Sequence, residues 1–223
     1  MRRETPFLFM RIGGLSWNRR LTGALLCAIA LLAFAGDPQG ATAAEPKGLE
    51  SMRALALQLL RVQDYDRSIA VYREIVKHTP DDPRSHYDLA AALSFVRRFE
   101  EAAASIRAAI RLNPEDLKAQ EMASLIFLNL HWYEDAFEAT LNAARLGEPT
   151  AMFSLVNMYE KGMGVTANPD RALYWAMQAA ENGHLGAMAL MEQVHRRGRL
   201  GQRVDPPKAD AWAQRLREAQ AVK

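Results

Sequence analysis

The chain has 223 residues, 49% of them apolar and 24% charged, which suits a chain able to bury a core. Its net charge is +2, but residues 1–43 hold five of the 28 basic and two of the 26 acidic residues, so a chain lacking them is one charge negative. That near-neutrality excludes a global attraction for nucleic acid or anionic lipid, and a lone cysteine, Cys27, excludes a disulfide framework and cysteine-based zinc sites.

The first 20 residues carry five Arg. Leu21–Ala35 then run almost unbroken as apolar residues, and Gly36, Asp37, Pro38 and the small residues Gly40–Ala44 follow. Basic, apolar, small is the order of a secretory signal peptide. The apolar run is 15 residues, short of the roughly 20 that span a bilayer. Ala41-Thr42-Ala43 predicts cleavage after Ala43, with Ala33-Phe34-Ala35 as the second choice. A periplasmic or secreted product follows, without a stable membrane span after cleavage; an uncleaved inner-membrane anchor is the alternative. Cys27 follows Leu25 and Leu26, a poor context for lipid attachment.

After a short leader, 44–48, three blocks superimpose at a spacing of 34 over 49–146. Leu55, Leu89 and Ala123 are in register, as are Leu59, Leu93 and Phe127; Tyr65, Phe99 and Tyr133; Ser68, Ala102 and Ala136; Ile75, Ala109 and Ala143. Each block reads as two amphipathic helices. In the second block these are Ser85–Val96 and Glu100–Leu112. Small residues (Ala90, Ala102, Ala109) sit where helices approach closely, and large ones fill the gaps. Thr79-Pro80 and Asn113-Pro114 stop the second helix, and Asp81 and Asp82 start the next. These positions resemble the tetratricopeptide repeat.

A second period begins at Ala151. Ala151 and Gly162 match Ala187 and Gly198 at a spacing of 36; Gly164, Ala172 and Trp175 match Gly201, Ala209 and Trp212 at 37. Leu155, Tyr159, Gly162, Gly164, Val165, Ala172, Trp175, Ala179, Ala180 and Gly183 carry a resemblance to the Sel1-like repeat, giving two units over 147–223. The glycines predict a tight loop with positive φ, Asn182-Gly183 a left-handed helix cap, and the tryptophans core wedges. Both families imply an all-α, right-handed helix-turn-helix solenoid in which each unit buries its face against its neighbours. The join at 147–150 is too short for a flexible linker.

No catalytic set is legible. His78, His86, His131, His184 and His195 form no metal-ligand spacing, and GxSxG, Walker and dinucleotide patterns are missing. His86 and His184 read as structural. No cofactor or metal is expected, and an envelope hydrolase is disfavoured. The tetratricopeptide resemblance implies a groove lined by the first helix of each unit. Its positions fall on Arg53, Leu57, Leu60 and Arg61; on Arg84, Tyr87, Ala91, Ser94 and Phe95; and on Lys118, Glu121, Leu125, Leu128 and Asn129. Leu57 and Ala91 stand where the carboxylate-clamp members have Asn, so that clamp is excluded. An apolar groove edged by Arg implies a protein or peptide partner with apolar anchors and some acid. The alternative is that Leu57, Leu60, Phe95, Leu125 and Leu128 merely complete packing between units. A second candidate surface is the basic run Arg196, Arg197, Arg199 and Arg203; residues 184–223 carry a net charge of +4. Without interleaved aromatics it does not read as a nucleic-acid site. The expectation is a monomeric, exported scaffold without enzymatic activity, or a periplasmic regulator of an envelope process such as signalling or polysaccharide export.

Overall fold

The computed structural model describes residues 47–221. The signal-peptide reading of 1–43, with Cys27 and both cleavage sites, lies outside the described residues. Among the described residues there are ten helices and no strand: α1 (Lys47–Arg61), α2 (Tyr65–His78), α3 (Pro83–Phe95), α4 (Phe99–Leu112), α5 (Leu117–Asn129), α6 (Tyr133–Arg145), α7 (Pro149–Lys161), α8 (Pro169–Glu181), α9 (Leu185–Arg197) and α10 (Pro206–Ala221). From α2 onward each helix packs on the next, as the solenoid reading requires. None of the ten is long and apolar enough to cross a membrane.

The spacing of 34 reappears in the helix starts: α2, α4 and α6 begin at 65, 99 and 133, and α3 and α5 at 83 and 117. In the second block the helices differ from the expected bounds by one or two residues. Pro83 sits in the first turn of α3 behind the Asp82 cap, where its fixed φ favours an earlier start. Arg97 turns left-handed (φ 62) and ends α3 at Phe95. The close-approach positions are alanines with essentially no exposure: Ala90, Ala102, Ala109, Ala123, Ala136 and Ala143. Leu93, Ile106, Ile126 and Phe127 fill the space between them. Trp175 and Trp212 are buried, as core wedges should be.

Two patterns of turn divide the chain. In the first six helices, α1, α3 and α5 end in three-residue turns whose middle residue is left-handed: Gln63, Arg97 and His131, with φ near 60°. In each, the left-handed residue and the one after it donate back to the helix, as when Arg97 N–H bonds Ser94 O (3.0 Å) and Arg98 N–H bonds Leu93 O (2.9 Å). This is the Schellman arrangement without glycine. From α6 onward the same arrangement moves to the other end of the pair. Gly147 and Gly183 close α6 and α8, with Gly183 N–H on Ala180 O (3.1 Å) and His184 N–H on Ala179 O (2.9 Å). The turns after α7 and α9 lengthen to seven and eight residues and begin with left-handed Gly162 and Gly198.

Gly164 and Gly201 occupy matching places in these longer loops, but their surroundings differ. A Cβ on Gly164 would overlap the Tyr133 carbonyl, because the loop lies against the start of α6; a Cβ on Gly201 would meet open space. Gly164→Ala is therefore expected to lose more than about 3 kcal/mol in urea unfolding, from left-handed strain plus displacement of backbone, and Gly201→Ala only about 1 kcal/mol. Equal losses would mean that the loop does not seat on α6.

His184 caps α9: its Nδ1 accepts the Ala187 N–H at 3.1 Å, and its ring stacks on Phe153 at 4.5 Å. Partial burial lowers its pKa, against an opposing pull from Glu148. The folded state resists a proton that the unfolded chain accepts near pH 6.5. Stability from this group is full above about pH 6.5 and is lost as pH falls through the lowered folded value. His184→Asn, which keeps a capping acceptor, should flatten the loss of stability between pH 7 and 5.5 expected of the parent, as urea unfolding at both pH values would measure.

Candidate protein-docking face and its clamp

The first helix of each unit in the 34-residue region, α1, α3 and α5, carries exposed residues at some of the expected groove positions. On α1 these are Leu57 and Arg61; on α3 Arg84 and Phe95; on α5 Lys118, Leu125 and Asn129. Leu57 is 50%, Phe95 67% and Leu125 63% exposed. Phe95 meets the Tyr65 ring at 5.4 Å, which fixes it across the turn between units. Leu60, Tyr87 and Leu128 are half-buried and pack against the core. Ala91, Ser94 and Glu121 are half-buried beside them.

Arg53 departs from its expected place in the groove. It is 4% exposed, with no surface to offer a ligand. Its guanidinium bonds Glu50 (3.2 Å) on its own helix, reaches Asp82 (2.7 Å) and Ser85 Oγ (3.1 Å), and lies 3.7 Å from Asp88. Asp82 is also the N-cap of α3, accepting from the Arg84 and Ser85 amides and from Ser85 Oγ (2.6 Å). Ser85 Oγ in turn contacts Thr79 Oγ1 at 2.8 Å. Arg53 thus ties α1 to the cap and first turns of α3. Burial pushes Asp82 up, but the hydrogen bonds from Ser85 and Arg84 N–H and the Arg53 charge outweigh it and hold the carboxyl below its usual range. At Asp88 burial wins over Arg84 and Arg53, and the pKa is raised. The repeat pattern carries no hint of this clamp, because positions 87 and 121 in the same register are Tyr and Glu.

Both signs of charge occur on the face. Arg61 and Arg84 lie toward the α1 end, Arg84 within 4.0 Å of Asp88 and 3.9 Å of Glu50. Toward α7, burial and then the nearby Glu148 charge raise the Glu121 pKa. Tyr87 is raised as well, by burial first and then by Asp116, Asp88 and Glu121.

The basic C-terminal run does not form one free patch. Arg196 bonds Glu192 (2.8 Å) and Asp210 (3.0 Å), which raises its pKa, and Arg199 pairs with Glu160 (3.1 Å). Arg197 and Arg203 are exposed without an ion pair among the described residues. Charges along a helix surface neutralise one another at i,i+4 and across neighbouring helices, which a count of charges does not show.

The sequence pattern also gives no sign of a cleft of about 330 Å³ that opens between α4 and α6 over α5, lined among others by Arg107, Gln120, Phe127, Glu134 and Glu138.

Comparison with known proteins agrees with this architecture. The tetratricopeptide repeat model matches residues 53–94 and 87–151. Two curated relatives match over short stretches: chitin synthase regulatory factor 2 of Schizosaccharomyces pombe, 32% identical over 76 residues (34% of this chain), and an exopolysaccharide production negative regulator of Rhizobium leguminosarum bv. viciae, 40% identical over 52 residues (23% of this chain). The chain spans only 15% and 20% of the lengths of these two. Among solved structures, a Sel1 repeat protein from Oxalobacter formigenes superposes with a TM-score of 0.54 at 22% identity, covering 77% of this chain and 73% of that one. YrrB, described as a TPR protein with an unusual peptide-binding site, gives 0.53 at 18% identity over 76% of this chain and 85% of its own.

Removing Arg53 should leave Asp82 without its counter-charge and half-buried Asp88 with Arg84 alone. Arg53→Met is expected to lose about 2–4 kcal/mol at pH 7 and less near pH 4, where Asp88, with its raised pKa, takes up a proton first. Arg61→Met, at an exposed position of α1, should stay within about 0.5 kcal/mol of the parent. Urea unfolding at both pH values measures the contrast. Residues 53–151 match the tetratricopeptide repeat model, and the described helix pairs share the fold of tetratricopeptide and Sel1-like solenoids.

Proposed function

We propose that this protein is an exported, non-catalytic adaptor that holds a protein or peptide segment against the exposed groove positions of α1, α3 and α5. The observation that carries the reading is the set Leu57, Phe95 and Leu125, each at least half exposed on a helix whose other large apolar residues, Leu55 apart, are buried or half-buried. Packing between units leaves at least half of each side chain exposed, with the Phe95 ring braced by Tyr65, so all three have surface to offer a ligand. Arg61, exposed at the α1 end, favours a segment with acid beside it. A tetratricopeptide scaffold serves protein–protein interaction, and YrrB carries a peptide-binding site on the same fold.

Export is supported by the basic–apolar–small order of residues 1–43 and by a remainder free of cysteine. A regulatory role in an envelope process is the second reading. It is supported by the two relatives named as regulators, one of chitin synthase and one of exopolysaccharide production.

The full-length chain with a photo-crosslinking residue at Ala91, expressed in its own cell, should capture a discrete partner. Phe95→Ala/Leu125→Ala should cut that capture at least fivefold while changing stability by less than about 1 kcal/mol, since both side chains are exposed. Equal capture by parent and variant would sink the docking face. In the same preparation, N-terminal sequencing should begin at Ala44 and osmotic shock should release the protein. A chain beginning at Met1 and retained with the cell would overturn export instead, leaving the face to stand or fall on the crosslink.

A further inference from the structure

The cleft between α4 and α6 lies away from the docking face and is unlike its counterpart one unit earlier. Gln120 lies at its floor, 2% exposed. Its Nε2 donates to Pro114 O at 2.9 Å, which fixes which end of the amide is which. Its Oε1 is buried and accepts no hydrogen bond from the protein. A buried acceptor without a donor is costly, and the cleft is where a donor could reach it. In the preceding unit His86 holds the equivalent place, its Nε2 bonding Pro80 O at 2.7 Å; an imidazole that closes the loop this way has no carbonyl left over.

The cleft wall differs in the same sense. Glu134, Glu138 and Asn142 follow one another at i, i+4 and i+8 along α6 and all line the cleft. The residues 34 earlier are Glu100, Ala104 and Ala108, so two alanines have become a carboxylate and an amide. Asp135 is already engaged by Arg107 at 3.0 Å, repeating the Arg73–Glu101 pair of the unit before. Glu134 and Glu138 have no ion pair among the described residues. The remaining lining is apolar, chiefly Ile110, Phe127 and Ala139.

From these observations we propose that the α4–α6 cleft binds a primary alkylammonium group, the chemistry shared by lysine side chains and free polyamines. The three N–H donors of an ammonium satisfy Gln120 Oε1 and the surplus carboxylates, and the alkyl stem covers the apolar floor. A second guanidinium suits the site less well. Arg107 already lies over Phe127 (5.0 Å) and Trp132 (4.7 Å) and occupies the aromatic faces a planar cation would use. A metal ion suits it no better, since among the described residues no three His, Cys, Asp or Glu side chains gather as ligands.

The test is an NMR titration of the folded chain at low salt with two probes, 1,5-diaminopentane and a Gly-Lys-Gly peptide blocked at both ends. Saturable shifts are expected at the Gln120 side-chain amide and the backbone of residues 134–142. Tighter binding of the peptide identifies a polypeptide lysine as the source, and tighter binding of the diamine a free polyamine. Glu138→Ala, and Gln120→His/Glu138→Ala, give the cleft the residues of the preceding unit, so the packing has a precedent in this chain. Either should weaken binding, the double variant at least tenfold. Unchanged affinity in the double variant would overturn the site, as would equal binding of tetramethylammonium, which has charge but no donor. Phe95→Ala/Leu125→Ala should leave the titration unaltered, so failure of the docking face and failure of this cleft are told apart.

Discussion

A helix of 13 to 16 residues with one apolar face is marginal in water by itself. In this chain such a helix buries that face mainly against the helices before and after it. Stability is then close to a sum over neighbouring interfaces. The alanine layer makes those interfaces possible: Ala102, Ala109, Ala136 and Ala143 let backbones approach, and the leucines and phenylalanines fit the space that remains. Coverage at one register position varies from unit to unit. Leu55 is 42% exposed, while Leu89, its partner in register, is 7% and Ala123 is fully covered.

Because each interface is local, two kinds of unit can join without a linker. The joint is a change of turn. Three non-glycine residues, Gln63, Arg97 and His131, take left-handed conformations after the first helix of a pair. Glycine takes over where the same hydrogen-bonded turn moves to the end of the second helix, at Gly147 and Gly183. The loop after α7 then lengthens, and Gly164 lets it lie against the carbonyl of Tyr133 at the start of α6. That seat ties the first unit of the second kind to the last of the first kind.

Most of this order was legible in the sequence, because spacing and side-chain size carry it. The period of 34, the small–large alternation and the Asn-Gly cap all reflect local rules that each unit obeys alone. What was not legible depends on which residue of another unit lies opposite. Arg53 reads as a groove residue until Asp82, Ser85 and Asp88 are placed around it. Four arginines read as one basic run until Glu160, Glu192 and Asp210 are brought to two of them. Gly164 and Gly201 read as equivalents until Tyr133 is found against one and nothing against the other. In each case a deciding atom belongs to a residue 14 to 39 positions away.

A repeat array supplies its own control for judging such residues. Positions that neighbours need are held to a narrow choice, as at the alanines, whatever the unit does. Positions outside that constraint are free to differ, and a difference there calls for a separate cause. Leu57 and Leu125 flank Ala91; Gln120 and Glu138 stand where the unit before has His86 and Ala104. Neither set improves the fit between helices: the leucines face solvent, and Gln120 leaves an acceptor unmet. Residues that cost the fold a little, or contribute nothing to it, at sites where the same chain shows a cheaper choice, are better explained by what they contact outside the chain than by packing within it.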